Sequence, residues 1–420
     1  MKGVKIAGIG IALPRRVLTN EDLARILLER RDNLLKSGVK MTPEQMAEYE
    51  TSDEWILSRV GVRERRIAED HECTSDYAAR AAAEAWTDAY GDGLEIPDFL
   101  YMATVSPDYF TTPPTNVAAH RKLAIPVFSK LSGKPIMRNF KGRDITQACT
   151  SFLVALDDAD SLIRSGKAER GWVVGADLMF RVISRNRRSP FVILGDAGGS
   201  FAVEATVEEK SWFGPRAFFS GVDGGPGGEF ERMIINRAGG SAVPIKPEHL
   251  DPLVDAHLMM MDGRAVYENI VPRVANEIMP GALVNAGLSW FDIEVLILHQ
   301  ANLRMTEAII KRIVKANEGL AVAMVSRDYT ALELIVKEWI LPRGMKDQTE
   351  AKHIIICYNN IERFGNPTSA SIPLSVYEAC ELGIIVPSKR VMLAAYGGGF
   401  SWCSVIIEWG GRDLPQFQKK

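Results

Sequence analysis

The 420 residues carry 46% hydrophobic and 25% charged side chains and a formal net charge of -3, which allows a sizeable core and gives no basis for general affinity to nucleic acid or anionic membrane. Five cysteines (Cys73, Cys149, Cys357, Cys380 and Cys403) are odd in number and lack CxxC or metal-ligand spacing; this argues for a reduced, cytoplasmic setting and against a disulfide framework or a metal site. No apolar run reaches the ~20 residues of a membrane helix, and Met1-Lys2-Gly3-Val4 reads as the opening of a strand, not of a signal peptide.

Val4 to Leu13 reads as a strand closed by Pro14. Its glycines are poor evidence for a nucleotide fingerprint, because no helix follows directly. Thr19 or Asn20 caps a helix, and a charged helical stretch continues to about Glu50. In the stretch Thr51 to Arg66, Trp55 and Arg59 share one helix face. Such a pair can stack on an adenine and meet a phosphate; unaided, the plainer reading is a surface cation–π pair. Asp76 to Tyr90 is alanine-rich and helical, Phe99 to Val105 is a buried-type strand, and Asn116 to Leu123 suits a short helix.

Pro135 to Phe140 reads as a further strand, followed by Thr146-Gln147-Ala148-Cys149-Thr150-Ser151-Phe152. Phe152, Leu156, Ala159 and Ile163 then recur at helical spacing, with Asp157, Asp158 and Asp160 on the other face. Cys149 therefore sits between a strand end and a helix start, where unpaired N–H groups and the helix dipole favour negative charge and lower a thiol pKa. The ordinary use of such a cysteine is as a small buried hydrophobe, and the local sequence leaves both uses open. Arg170 to Asp177 is a strand, Arg181 to Arg188 a basic loop, Gly195 to Gly199 a tight turn and Ser200 to Ala205 a closing strand.

The second half, 206–420, repeats the order of the first, 1–205. Val266 to Leu288 is a long helix, Ile293 to His299 a buried strand ending in Gln300-Ala301-Asn302, and Leu303 to Ala316 a helix. His353 to Tyr358 is a strand, and Gly365-Asn366-Pro367 leads into a helix through Ala379. Arg390 to Tyr396 and Ser404 to Trp409 are the last strands, with Gly397-Gly398-Gly399-Phe400 between them. Two copies of one α/β unit suggest two sheets packed around shared central helices. Cys149 and Asn366 each precede the third helix of their copy, and His299 ends a strand of the second. Ligands gather at strand C-termini in open α/β sheets, so the three can converge on one point.

At these residues the chain resembles the β-ketoacyl-[acyl-carrier-protein] synthase III family of the thiolase superfamily. Thr51-Ser52-Asp53-Glu54-Trp55-Ile56 with Arg59 to Arg65 is similar to its N-terminal signature; Ala148-Cys149, Gly195-Asp196, His299-Gln300-Ala301-Asn302, Gly365-Asn366 and Gly397 to Phe400 follow in the family's order. The resemblance implies a duplicated five-layer αβαβα thiolase-like architecture. It makes Cys149 the nucleophile that takes an acyl group from acyl-CoA, with an oxyanion hole from the backbone of Cys149 and of the glycine loop near Phe400. His299 and Asn366 would be neutral donors to an enolate formed from malonyl-[acyl-carrier protein]. Trp55 and Arg188 would sandwich the adenine of CoA, Arg59 would meet phosphate, and Gly263 and Asn302 would lie along the pantetheine channel. Arg304, Lys311 and Arg312 resemble the family's basic patch for an acidic carrier protein; a solvated face is nearly as good a reading. A homodimer is implied, with no tightly bound cofactor and no metal.

Several positions depart from the family. Ser151 and Cys403 stand where glycine is usual, Pro367 where threonine follows the asparagine, and Glu268 where lysine is frequent in the docking patch. Two segments, Leu28 to Glu50 and Glu318 to Lys352, look about two dozen residues longer than in compact members, as a lid or as added interface. Rival functions are non-decarboxylative condensation or acyl transfer by a superfamily relative, and a non-catalytic partner subunit. The first rival calls for a glutamate base near the nucleophile; Glu54 and Glu64 are the candidates.

Overall fold

The structure, a computed structural model, describes residues 3–410 except 92–94, 125–139, 207–212, 252 and 329–332. The first sheet is built from β1 (Gly3–Ala12), β4 (Phe99–Ala103), β5 (Lys141–Ile145), β6 (Arg170–Leu178) and β7 (Asp196–Thr206), in the order β1-β7-β6-β4-β5. Two small ladders stand apart from it: β2 (Arg16–Thr19) with β3 (Glu64–Ile67), and β9 (Ile234–Ile235) with β10 (Met260–Met261). The second sheet takes β8 (Phe213–Val222), β11 (Val295–Leu298), β14 (His353–Tyr358), β15 (Arg390–Gly397) and β16 (Ser401–Glu408), in the order β8-β16-β15-β11-β14. Strand for strand the two orders correspond, and in both the last three strands of the order given run parallel to one another. The duplication read in the sequence is therefore a duplication of topology.

Helix Ser151–Arg164 packs between the sheets, touching β4, β6 and β7 on one side and β8 and β16 on the other. Helix Ser371–Glu381 does the same against β1, β7 and β11. Phe152, Leu156 and Ala159 join Val173 and Phe201 of the first sheet and Leu393 and Val405 of the second in one core. The outer layers are helices such as Thr74–Tyr90 on the first sheet and Met279–Ala286 and Leu303–Ala316 on the second, completing the five-layer thiolase fold. Gly8 and Gly10 of β1 let the backbone of the Thr74–Tyr90 helix lie directly on the strand: a Cβ at Gly10 would sit 2.3 Å from the Ala81 oxygen. From that helix Asp88 and Glu84 accept the Ile9 and Ile11 N–H groups at 2.9 Å each, which blunts the open edge of β1.

Some elements differ from those read in the sequence. Pro135 to Asn139 lie outside the described residues, and the strand leading to Cys149 is β5, beginning at Lys141. β5 is a sheet edge with exposed Lys141 and Arg143, so it lacks the apolar run that marks a central strand. β8 also escapes sequence reading, because it carries Pro215 and two glycines; at a sheet edge these are tolerated. The long segment after Glu318 forms β12 (Leu320–Arg327), parallel to β14, and β13 (Leu334–Ile340), antiparallel to β12. It extends the second sheet. The segment before Glu50 continues a helix to Lys36, forms a short helix Pro43–Ala47 and buries Tyr49. Among the described residues no helix is long and apolar enough to cross a membrane.

Candidate active site

Cys149, His299 and Asn366 line one cavity of about 390 Å³. Its walls are largely apolar, including Val105, Ile193, Leu194, Met259, Met261 and Ile270, and no Asp or Glu lies among its described lining residues. Glu54 and Glu64, weighed as bases, do not line it.

Cys149 follows Ala148, whose φ of 49 puts a non-glycine residue in the left-handed region, and precedes the helix that starts at Ser151. Strain of this kind is kept where surrounding structure over-determines it. Here the Ala148 carbonyl accepts from Ser151 Oγ at 2.7 Å, and Ser151 Oγ in turn accepts the Gln147 N–H at 2.7 Å. A serine in place of glycine thus cross-braces the turn that carries the nucleophile. The glycine loop presses on the other side: a Cβ at Gly397 would fall 2.7 Å from the Cys149 nitrogen.

The expected low thiol pKa is not what this pocket produces. Burial, then the negative charge of Asp177, pushes the Cys149 thiol up to about 12. Cys149 lies two residues before the first helical residue, close enough to feel the partial positive charge at that helix end. Desolvation of a thiolate outweighs it here. The resting nucleophile is a thiol, so its alkylation by iodoacetamide should rise about tenfold per pH unit from pH 7 to 10. A plateau near pH 8.5 in the alkylation rate of Cys149, followed by peptide mass, would contradict this.

His299 is fully buried at the end of β11, its N–H donating to the Ala394 oxygen at 2.8 Å. Burial pushes the imidazole down to about 3, so it is neutral at working pH. Its ring meets the Tyr396 ring edge-on at 5.8 Å. Asn366 is held mainly by the first half of the chain. Its N–H donates to Ile193 oxygen at 2.8 Å, and its carbonyl accepts the Gly195 N–H at 3.1 Å. Asn366 Oδ1 accepts the Thr368 N–H at 2.8 Å, which leaves the Nδ2 end to donate. Gly195 is thus a clamp on the asparagine; the tight turn expected over Gly195 to Gly199 is instead the entry to β7, which begins at Asp196. Buried Asp196, the first residue of β7, anchors this entry by accepting the Ala68 and Phe180 N–H groups at 2.9 and 3.1 Å.

Sequence reasoning missed Asp177, which joins the two halves beneath the site. One carboxylate oxygen accepts from Thr104 Oγ1, Val105 N, Ser106 N and Ser106 Oγ at 2.7–3.1 Å. The other accepts from Thr368 Oγ1 and from Ser369 N at 3.0 Å. Six donors on a fully buried carboxylate lock the Asn366 loop onto β6. An aspartate closing the strand Arg170 to Asp177 was the only signal available.

The remaining expected contacts fare unevenly. Gly263, first in its helix, and Asn302, cap of the Leu303–Ala316 helix, line the cavity. Trp55 and Arg188 do come together, but the guanidinium lies 4.7 Å from the ring centre and closes the slot expected to hold adenine. The segment before Glu50 helps hold it there, since Glu48 and Glu50 oxygens accept from Arg188 N at 2.9 Å and Nη1 at 3.1 Å. Arg59 has an exposed side chain, and its carbonyl accepts from Asn302 Nδ2 at 3.3 Å. Phe400 is not free to serve an oxyanion: its N–H donates to the Asp223 oxygen at 2.7 Å. Of the same loop, Gly397, Gly398 and Gly399 line the cavity. Arg304 binds Ser58 and Leu57 oxygens at 3.0 and 3.2 Å and Glu307 at 2.6 Å, tying two helices together instead of standing as a surface cation. Lys311 faces Glu338 at 3.5 Å, while Arg312 is exposed.

Comparison with known proteins bears on the whole chain. Residues 143–220 match the family described as 3-Oxoacyl-[acyl-carrier-protein (ACP)] synthase III, and residues 348–409 match its C-terminal family. A β-ketoacyl-[acyl-carrier-protein] synthase III of Symbiobacterium thermophilum is 30% identical over 98% of this chain and 99% of its own. The protein of that name from Roseiflexus castenholzii is 31% identical over 96% and 97%. Among solved structures, the synthase III of Thermus thermophilus aligns with a TM-score of 0.68 at 28% identity, covering 97% of this chain and 99% of that one. That of Aquifex aeolicus aligns with a TM-score of 0.68 at 26% identity, covering 97% and 100%. With the duplicated sheets and the cavity that joins Cys149, His299 and Asn366, these likenesses establish that the chain belongs to the β-ketoacyl-[acyl-carrier-protein] synthase III family of the thiolase superfamily.

Proposed function

We propose that the protein condenses an acyl-CoA starter with malonyl-[acyl-carrier protein], releasing CO2 and giving a 3-oxoacyl-[acyl-carrier protein]. The observation that carries this is a cavity with one thiol, two neutral donors and, among its described lining residues, no carboxylate. Cys149 Sγ attacks the thioester carbonyl, and the CoA thiol leaves with the proton. The Cys149 N–H and a glycine-loop N–H at Gly398 or Gly399 receive the oxyanion. The malonyl thioester then enters and its bond to the carboxylate breaks. CO2 departs, and the electron pair becomes an enolate whose oxygen accepts from His299 and Asn366 Nδ2. The enolate carbon attacks the acyl group, and the Cys149 sulfur leaves and is reprotonated.

An imidazole pushed down to about 3 is a weak proton acceptor. Decarboxylation generates the carbanion without one, whereas condensation of two simple acyl-CoAs needs a base. CoA would thread past Gly263 and Asn302, with Trp55 and Arg188 parting to admit the adenine and Arg59 near its phosphates. With Arg304 and Lys311 engaged, Arg312 is left as the carrier-docking cation of that set. The working form is a homodimer without a tightly bound cofactor.

The test supplies a panel of acyl-CoAs and malonyl-[acyl-carrier protein] labelled in its free carboxylate. Labelled CO2 should appear in step with 3-oxoacyl product, and Cys149→Ala should make no product. An absence of any acyl adduct on Cys149 by intact mass would sink the enzyme reading. Product formed from two acyl-CoAs without CO2 would sink the decarboxylative one.

A further inference from the structure

His299 presents two differently treated ring nitrogens. Nδ1 lies 2.6 Å from Ser371 Oγ, and both residues are buried. Nε2 has no hydrogen-bond partner among the described residues, and the residue lines the cavity. Ser371 is the first residue of the helix Ser371–Glu381, and among the described residues Nδ1 is the one partner of its hydroxyl. The positive end of that helix, like burial, disfavours a second proton on the ring.

A neutral imidazole carries one ring proton, and its bond to Ser371 decides which nitrogen holds it. Were Nδ1–H to donate to Oγ, the serine proton would sit in the interior without an acceptor, and Nε2 would offer the cavity only a lone pair. With Oγ–H donating to Nδ1, the one leftover donor is Nε2–H, and a substrate oxygen in the cavity can accept it. A donor stranded in the interior is the costlier arrangement. We propose that Ser371 is a positioning residue whose hydroxyl donates to His299 Nδ1 and so holds the ring in the tautomer that presents Nε2–H to the enolate oxygen. The inference rests on the condensation chemistry proposed above for its consequence, though not for its geometry.

Histidine-selective 15N labelling reads the protonated nitrogen directly. The chain has six histidines, and the His299 signals are those lost in His299→Asn. Wild-type protein and Ser371→Thr should show a protonated Nε2 and a lone-pair Nδ1, and Ser371→Ala should show averaged tautomers. In Ser371→Ala, kcat for condensation should fall about 10- to 100-fold, the size of loss seen when the hydrogen-bond partner that orients a metal-ligating histidine is removed. Acylation of Cys149 and the KM for acyl-CoA should stay within about twofold, and Ser371→Thr should restore kcat. A protonated Nδ1 in the wild type, or wild-type condensation by Ser371→Ala, would overturn the proposal. If wild-type protein takes the acyl group yet makes no 3-oxoacyl product, the condensation chemistry fails instead, and the labelled ring still accepts or rejects the tautomer.

Discussion

Alanine at His299 or at Asn366 is expected to cut condensation by about 10²- to 10³-fold while Cys149 still takes up an acyl group at close to the wild-type rate. The magnitude is that of removing one preorganised donor to a developing oxyanion. The separation of the two stages follows from the geometry. His299 is neutral, buried and lines the cavity, its Nε2 has no partner among the described residues, and Asn366 Oδ1 is fixed by Thr368, so each has one donor end to offer. Neither can act as a strong base toward the thiol, because the imidazole is held at about 3. Both donors would serve one enolate oxygen, so the double variant should lose less than the product of the single losses. Intact-mass kinetics of acylation and a product assay for condensation give the two rates side by side. Equal losses in both stages would make His299 a base for Cys149 and refute the division of labour.

Asp177→Ala is expected to destabilise the fold by about 3–5 kcal/mol, the usual result of breaking a buried charged network on one side. Six donors converge on this carboxylate, from Thr104, Val105, Ser106, Thr368 and Ser369. Thr104, Ser106, Thr368 and Ser369 are buried, so their donors have no water to turn to. Asp177→Asn keeps the shape, and its effect has a second readout. Asp177 is the leading charge that raises the Cys149 thiol. Removing that negative charge favours thiolate, so the alkylation curve of Cys149 should move to lower pH. Equilibrium denaturation measures the first effect and the pH dependence of iodoacetamide labelling the second. An Asp177→Asn protein with wild-type stability and an unmoved labelling curve would show that the network is decorative.

How far the chain could be read without its fold depends on which interactions are local. Apolar runs such as Phe99 to Ala103 and Val295 to Leu298 announced buried strands, because both faces of a central strand are covered. The repeated order of strands and helices announced two equivalent sheets, and the motifs around Cys149, His299 and Asn366 announced a family. Edge strands did not show: β5 alternates exposed charges, and β8 carries proline, since neither needs two apolar faces. Nor did β12 and β13, which arise inside a segment read only as an extension.

The site divides in the same way. Sequence by itself determined that a cysteine precedes a helix, that a histidine ends a strand and that an asparagine follows a glycine. Tertiary structure alone decided that the thiol is raised instead of lowered, because desolvation is set by everything packed around Cys149 and by Asp177. It alone placed the Phe400 N–H on Asp223, Arg304 on the Ser58 and Leu57 carbonyls, and Arg188 against Trp55. Each of these hinges on a partner distant in the chain, brought near only by the folded interior; for Arg304 that partner lies in the other half. The physical reason is range: helix and strand patterns follow from neighbours a few residues away, while burial, charge and the occupancy of a donor are properties of the assembled interior.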